Sequence, residues 1–186
     1  MKITNDTEAP TFAAASMLFP QSARRMKEGK HAIRELYEKT VGGILTFIVP
    51  VIILVMLFAE VFVFILAGDK YPEAANVLRC TIFYGLFIPY AVQFGIVLDS
   101  TGRPQINFWF TIAGAIINIV SNYIFISLYG IYGAVIGTLI TYSTAFVAMQ
   151  FYLNKTFGIV PFRAFKYMVQ FYRILLRMGR AKIKTY

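Results

Sequence analysis

Four long stretches of apolar residues, separated by short polar or glycine- and proline-bearing links, dominate the chain. The first runs over 42–68 and is interrupted only by Pro50 and Glu60. The second covers about 79–98, the third about 106–129 and the fourth about 132–153. A bilayer core of about 30 Å is crossed by about 20 mainly apolar helical residues, so each stretch is long enough to span it. The links at 68–73, 99–104 and 129–131 are short, and glycine and proline at these places break helices. Backbone groups in lipid have to be satisfied within the chain, which predicts helices packed as antiparallel neighbours. A soluble bundle would need polar faces, and 49–58 offers none. The expected fold is therefore an all-α integral membrane protein of about four transmembrane helices.

Composition agrees. Of 186 residues, 58% are hydrophobic and 15% charged, against roughly 45–50% and about 25% in soluble domains. The net charge of +9 could suggest nucleic acid, but its placement points to membrane orientation. From Arg24 onward, fifteen Lys and Arg fall before the first span, in the second link or after the fourth span; Lys70 and Arg79 alone lie on the other side. The positive-inside rule then puts both termini in the cytoplasm, as an even number of spans requires.

Both flanks read as amphipathic. Between Arg24 and Thr40, Ile33, Leu36, Tyr37 and Thr40 share a stripe, as expected of an interfacial helix. In the tail, Arg163, Lys166, Gln170, Arg173, Arg177 and Arg180 share one face, with Pro161 placed to begin the helix and Gly179 to end it. Such a basic helix suits anionic headgroups better than a nucleic acid or a calmodulin-like partner. The segment 12–19 is too short to span. It has too weak an apolar core for a signal peptide and reads as the inner end of a helix that begins upstream. The expected organisation is a cytoplasmic or interfacial segment at 1–41, a four-helix region at 42–153 and a basic tail at 154–186.

Several residues inside the spans could carry function. Pro50 and Pro89 each remove a backbone hydrogen bond and predict kinks, either for packing or as hinges. Asn118 and Asn122 lie on one stripe with Ser121, Gly114 and Thr111, and Tyr90 and Gln93 are similar polar positions on the second span. Intramembrane polar groups either join helices or face a cavity, and both readings stand here. Glu60 is the one acid well inside a span: a possible coupling carboxylate, or a group reaching the outer interface. Asp99 and Arg103 could pair across the second link. Gly133 and Gly137 allow close backbone approach. Cys80 is the single cysteine, so an intramolecular disulfide and a cysteine metal site are excluded. No nucleotide, zinc-protease or Ser-His-Asp motif is present, and the one histidine, His31, falls in the basic flank. Neither an enzyme nor a metal or other cofactor is expected.

The order of several local patterns resembles the polysaccharide flippases of the multidrug/oligosaccharidyl-lipid/polysaccharide exporter superfamily. These patterns are Leu18-Phe19-Pro20, a basic segment ending Leu36-Tyr37-Glu38-Lys39-Thr40, Leu57-Phe58-Ala59-Glu60, then Ile65-Leu66-Ala67-Gly68 and Tyr71. Asn76-Val77-Leu78-Arg79, Leu98-Asp99-Ser100-Thr101-Gly102-Arg103-Pro104, the Asn118 and Asn122 pair, and Tyr129-Gly130-Ile131-Tyr132-Gly133-Ala134 continue the series. The resemblance covers about 12–153 and implies part of the second lobe of a two-lobed transporter that works by alternating access. It would move undecaprenyl-linked oligosaccharide across a bacterial cytoplasmic membrane for O-antigen, capsule or exopolysaccharide. The expected partners are membrane lipid, that carrier-linked glycan and a separately encoded first lobe, with no nucleic acid. The family's cavity commonly uses basic residues; none lies deep in these spans, and Arg79 is the nearest. A cation-coupled drug antiporter, which should show acids deep in its spans, is one alternative. A non-transporting structural subunit or remnant is another.

Overall fold

The computed structural model describes residues 29–68 and 73–183, the side chains at 67 and 175–183 excepted. The patterns at 12–19 and Leu18-Phe19-Pro20, the basic residues up to Lys27, and Lys70 and Tyr71 lie outside the described residues. The elements are α1 (Lys30–Ala67), α2 (Ala74–Thr81), a 3₁₀ segment (Ile82–Leu86), α3 (Ile88–Ser100), α4 (Pro104–Phe157) and α5 (Pro161–Ile183). Three helical stretches are long and apolar enough to cross a membrane: α1, α2 through α3, and α4.

At 54 residues, α4 would be about 80 Å long if straight, far more than a bilayer core. It is not straight. Gly130 has φ 57° and ψ −132°, a conformation that a side chain would disfavour, and the chain reverses there. The arms 104–129 and 131–157 then run back along each other. A Cβ on Gly133 would strike the Phe125 carbonyl, and one on Gly137 would lie 2.6 Å from Asn122 Oδ1. The small residues thus permit backbone contact. With the hairpin counted as two, these three stretches make four segments long enough to cross.

The helix that carries the first apolar run begins well before that run. No helix break falls between 41 and 42. Instead α1 is continuous from Lys30, because one buried stripe runs through Ile33, Tyr37, Val41, Leu45, Ile48, Ile52, Val55 and Ala59 at spacings of three and four. The second span is broken: Pro89 sits in the first turn of α3, where a missing N–H costs nothing, and the 3₁₀ segment precedes it. At Pro50 the helix continues, and the departure from helical dihedrals inside α1 falls at Phe58 (φ −110°, ψ 20°).

The main core gathers at the basic end. Tyr37, Val41 and Leu45 of α1 meet Tyr90, Phe94, Val97 and Leu98 of α3, Leu153 and Phe157 of α4, Ile159, and Ala164 of α5. The edge-on rings of Phe94, Phe110 and Tyr152 tie α3 to both arms of the hairpin.

Candidate functional site

The polar groups of the spans fall in three separate places. The first is inside the core. Gln150 Nε2 donates to the Tyr37 hydroxyl at 3.1 Å, and that hydroxyl donates to the Tyr90 carbonyl at 3.2 Å. The Tyr90 hydroxyl donates to the Pro161 carbonyl at 3.3 Å. These bonds link α1, α3, α4 and the start of α5. Gln93, one turn from Tyr90, is completely buried, and neither end of its amide has a partner among the described residues. A buried amide without a partner is costly, so Gln93 is the least satisfied polar side chain of the core.

The second place is the hairpin. Asn122 Nδ2 donates to Asn118 Oδ1 at 3.1 Å, and Asn122 Oδ1 points at Gly137. The two asparagines therefore face the seam between the arms. They are not beside Tyr90 and Gln93. Asn107, on the same arm, abuts Gly95 and bonds Asp99, and Asn118 lies eleven residues further along. At 1.5 Å per residue that is about 16 Å, which places Asn118 roughly 13 Å from the level of Gln93, with Asn122 about 6 Å beyond it.

The third place is the far end of the bundle. Arg79 Nη2 bonds Glu60 Oε1 at 2.8 Å, with the Glu60 side chain 75% exposed and that of Arg79 34%. Arg79 also reaches the Met56 carbonyl at 3.4 Å and Asn76 Oδ1 at 3.3 Å. The acid and the base, nineteen residues apart, thus join α1 to α2. Pairing is what makes a carboxylate tolerable at membrane depth.

The ion pair anticipated between Asp99 and Arg103 does not form. Asp99 accepts from Asn107 Nδ2 at 3.1 and 3.2 Å, while Arg103 donates to the Tyr152 hydroxyl at 3.1 Å and lies over the Phe157 ring. The helix that starts at Pro104 brings Asn107 back over Asp99, one turn inside α4, and the longer Arg103 reaches across to the second arm.

Two features escape a reading of single spans. Pro50 has no N–H, which orphans the Thr46 carbonyl four residues earlier. The Tyr172 hydroxyl of α5 fills that gap at 2.6 Å. Burial pushes the Tyr172 hydroxyl above its ordinary pKa. The Gly42-Gly43 pair supplies the crossing point that makes this possible. A Cβ on Gly42 would lie 2.6 Å from the Ala164 carbonyl and 2.7 Å from Tyr167 Cβ. The tail helix therefore docks along α1 in the same direction, from the level of Glu38 to that of Thr46. The adjacent glycines and the proline eight residues on were the available signals.

A chain with one broken span, a reversing helix and polar groups bonded across helices is an all-α, multi-pass membrane protein. Residues 26–124, just over half of the chain, match MatE. The chain belongs to the MatE family. It is 32% identical over 146 residues to the uncharacterized membrane protein MJ1068 of Methanocaldococcus jannaschii, covering 77% of this chain and 29% of that one. A second protein of that organism, the uncharacterized membrane protein MJ1375, is 33% identical over 76 residues, 41% of this chain and 18% of its own. The "Probable low-salt glycan biosynthesis flippase Agl15" of Haloferax volcanii is 22% identical over 155 residues, 83% of this chain and 33% of its own. The chain thus spans a third or less of the length of these relatives. No solved structure matches it.

Proposed function

We propose that this chain forms part of the second lobe of a flippase for lipid-linked oligosaccharide, acting by alternating access in cell-surface polysaccharide biosynthesis. The observation that carries the reading is the relationship to a named glycan flippase across 83% of the chain, within a family matched over half of it. The architecture is compatible: moving a sugar headgroup needs a polar path and helix breaks near the midplane rather than bond-making chemistry. The break before Pro89, halfway along its span, supplies one such interruption. Tyr90, Gln93, Asn118 and Asn122 are the proposed cargo-cavity residues, meeting cargo only when the packing described above opens, Pro50 and Pro89 the proposed hinges, and Glu60 the proposed coupling carboxylate. The chain works in the cytoplasmic membrane with both termini inside, alongside a first lobe from the same or another polypeptide.

The test is translocation of a fluorescent lipid-linked oligosaccharide in liposomes holding this chain alone, or this chain with a candidate first lobe supplied alongside it. Translocation with the lobe, reduced at least tenfold by combined Asn118→Ala and Asn122→Ala, is the expected result. Cation-driven export of a dye without oligosaccharide movement would establish the antiporter instead. No movement of either cargo would leave a structural subunit.

A further inference from the structure

At the basic end, the first turns of α1 and α5 enclose a cleft of about 410 Å³. His31, Arg34, Glu35 and Glu38 line one side, and Arg163, Lys166, Tyr167 and Gln170 the other. The two acids are already engaged. Glu35 is ion-paired to Lys39 at 2.6 Å, and Glu38, almost fully buried, accepts the Val160 N–H at 3.1 Å. Arg34, Arg163 and Lys166 have no carboxylate within ion-pair distance among the described residues. Both helices present their amino-terminal ends here, and neither has an acid in its first turn to offset the partial positive charge. The cleft is therefore a concentration of uncompensated positive charge, within the ~300–1,000 Å³ range of small-ligand sites.

We infer that this cleft binds the phosphate headgroup of an anionic membrane lipid, held between Arg34 on α1 and Arg163 and Lys166 on α5. Guanidinium groups on both walls suit a phosphate, whose oxygens accept paired N–H bonds. The lipid source follows from position. The cleft opens where the apolar run of α1 begins, and exposed Phe162, Phe165 and Val169 on α5 flank it as a surface for acyl chains. A bound headgroup would clamp α5 to α1, and with it Tyr172 to the Thr46 carbonyl. This site is independent of the transported cargo and stands or falls apart from the flippase reading.

The experiment is native mass spectrometry of the full chain in dodecyl maltoside, titrated with dioctanoyl phosphatidylglycerol. Dioctanoyl phosphatidylcholine and glycerol 3-phosphate serve as comparators. One saturable phosphatidylglycerol site is expected. At about fivefold per basic residue near a membrane surface, Arg163→Gln with Lys166→Gln should weaken binding roughly 25-fold. Because both side chains are exposed, the fold is expected to persist. The charge-retaining pair Arg163→Lys with Lys166→Arg should stay within about threefold, and Arg173→Gln, on the same helix outside the cleft, should change nothing. Equal affinity for phosphatidylcholine would overturn the headgroup assignment, and equal affinity for glycerol 3-phosphate the lipid source. Unchanged binding by the double Gln variant, or an equal loss on Arg173→Gln, would overturn the cleft itself.

Discussion

The basic end of the bundle and the first arm of α4 are built from similarly apolar residues and are packed very differently. At the basic end, Leu45, Phe94, Val97, Leu98 and Leu153 are completely buried, and tyrosines bond carbonyls of neighbouring helices. Along 104–129 no residue is buried, and Ile116, Ile119, Tyr123 and Leu128 stand more than half exposed. In lipid, apolar exposure carries no penalty, so hydrophobicity cannot hold this arm; close backbone approach and side-chain bonds have to. The lesson is that in this chain packing is set by glycines and carbonyl acceptors, while the apolar residues mainly define what lies in the membrane.

That contrast can be broken by filling the glycine contacts. Gly133→Leu should prevent closure of the hairpin and lower stability by more than about 3 kcal/mol, read by SDS-titrated unfolding in mixed micelles. A smaller but direct comparison is Leu45→Ala against Ile119→Ala. The first should cost about 2–4 kcal/mol, and the second should stay within about 0.5 kcal/mol. Equal losses would show that the exposed arm is packed after all. Tyr172→Phe should cost about 1 kcal/mol by leaving the Thr46 carbonyl without its donor. In a Pro50→Ala background, where the residue 50 N–H returns, the same change should cost close to nothing, and a double-mutant cycle reads the difference. Last, Gln93→Leu should raise stability by about 1 kcal/mol by removing the unpartnered amide. A loss of that size would mean that a water or cargo group bonds Gln93.

Hydrophobic runs were enough to place the membrane segments, and the Lys and Arg distribution agreed with an even number of them. The motif order led to the right family, because it records local breaks such as Gly130 and the Asp99–Pro104 link. What periodicity could not supply were partners far apart in sequence. Glu60 with Arg79, Gln150 with Tyr37 and Tyr172 with Thr46 each depend on which helix lies beside which. That one helix carries both the end of the basic flank and the first apolar run was also illegible from charge alone: residue 41 marks a change in composition, and the buried stripe of α1 continues through it. Among the proposed site residues, polarity identified Tyr90, Gln93, Asn118 and Asn122 as unusual but could not show that they occupy different depths.

The single-residue reversal at Gly130 also bears on how the protein is made. With so little chain between them, the two arms of α4 are expected to enter the membrane as a hairpin rather than as independent spans. The glycine seam from Gly133 to Gly137 is local in sequence, whereas the contacts of the second arm with Tyr37 and Phe94 are not, so the seam is expected to close first. A defect in that seam would therefore lower the yield of inserted protein as well as the stability of what does fold.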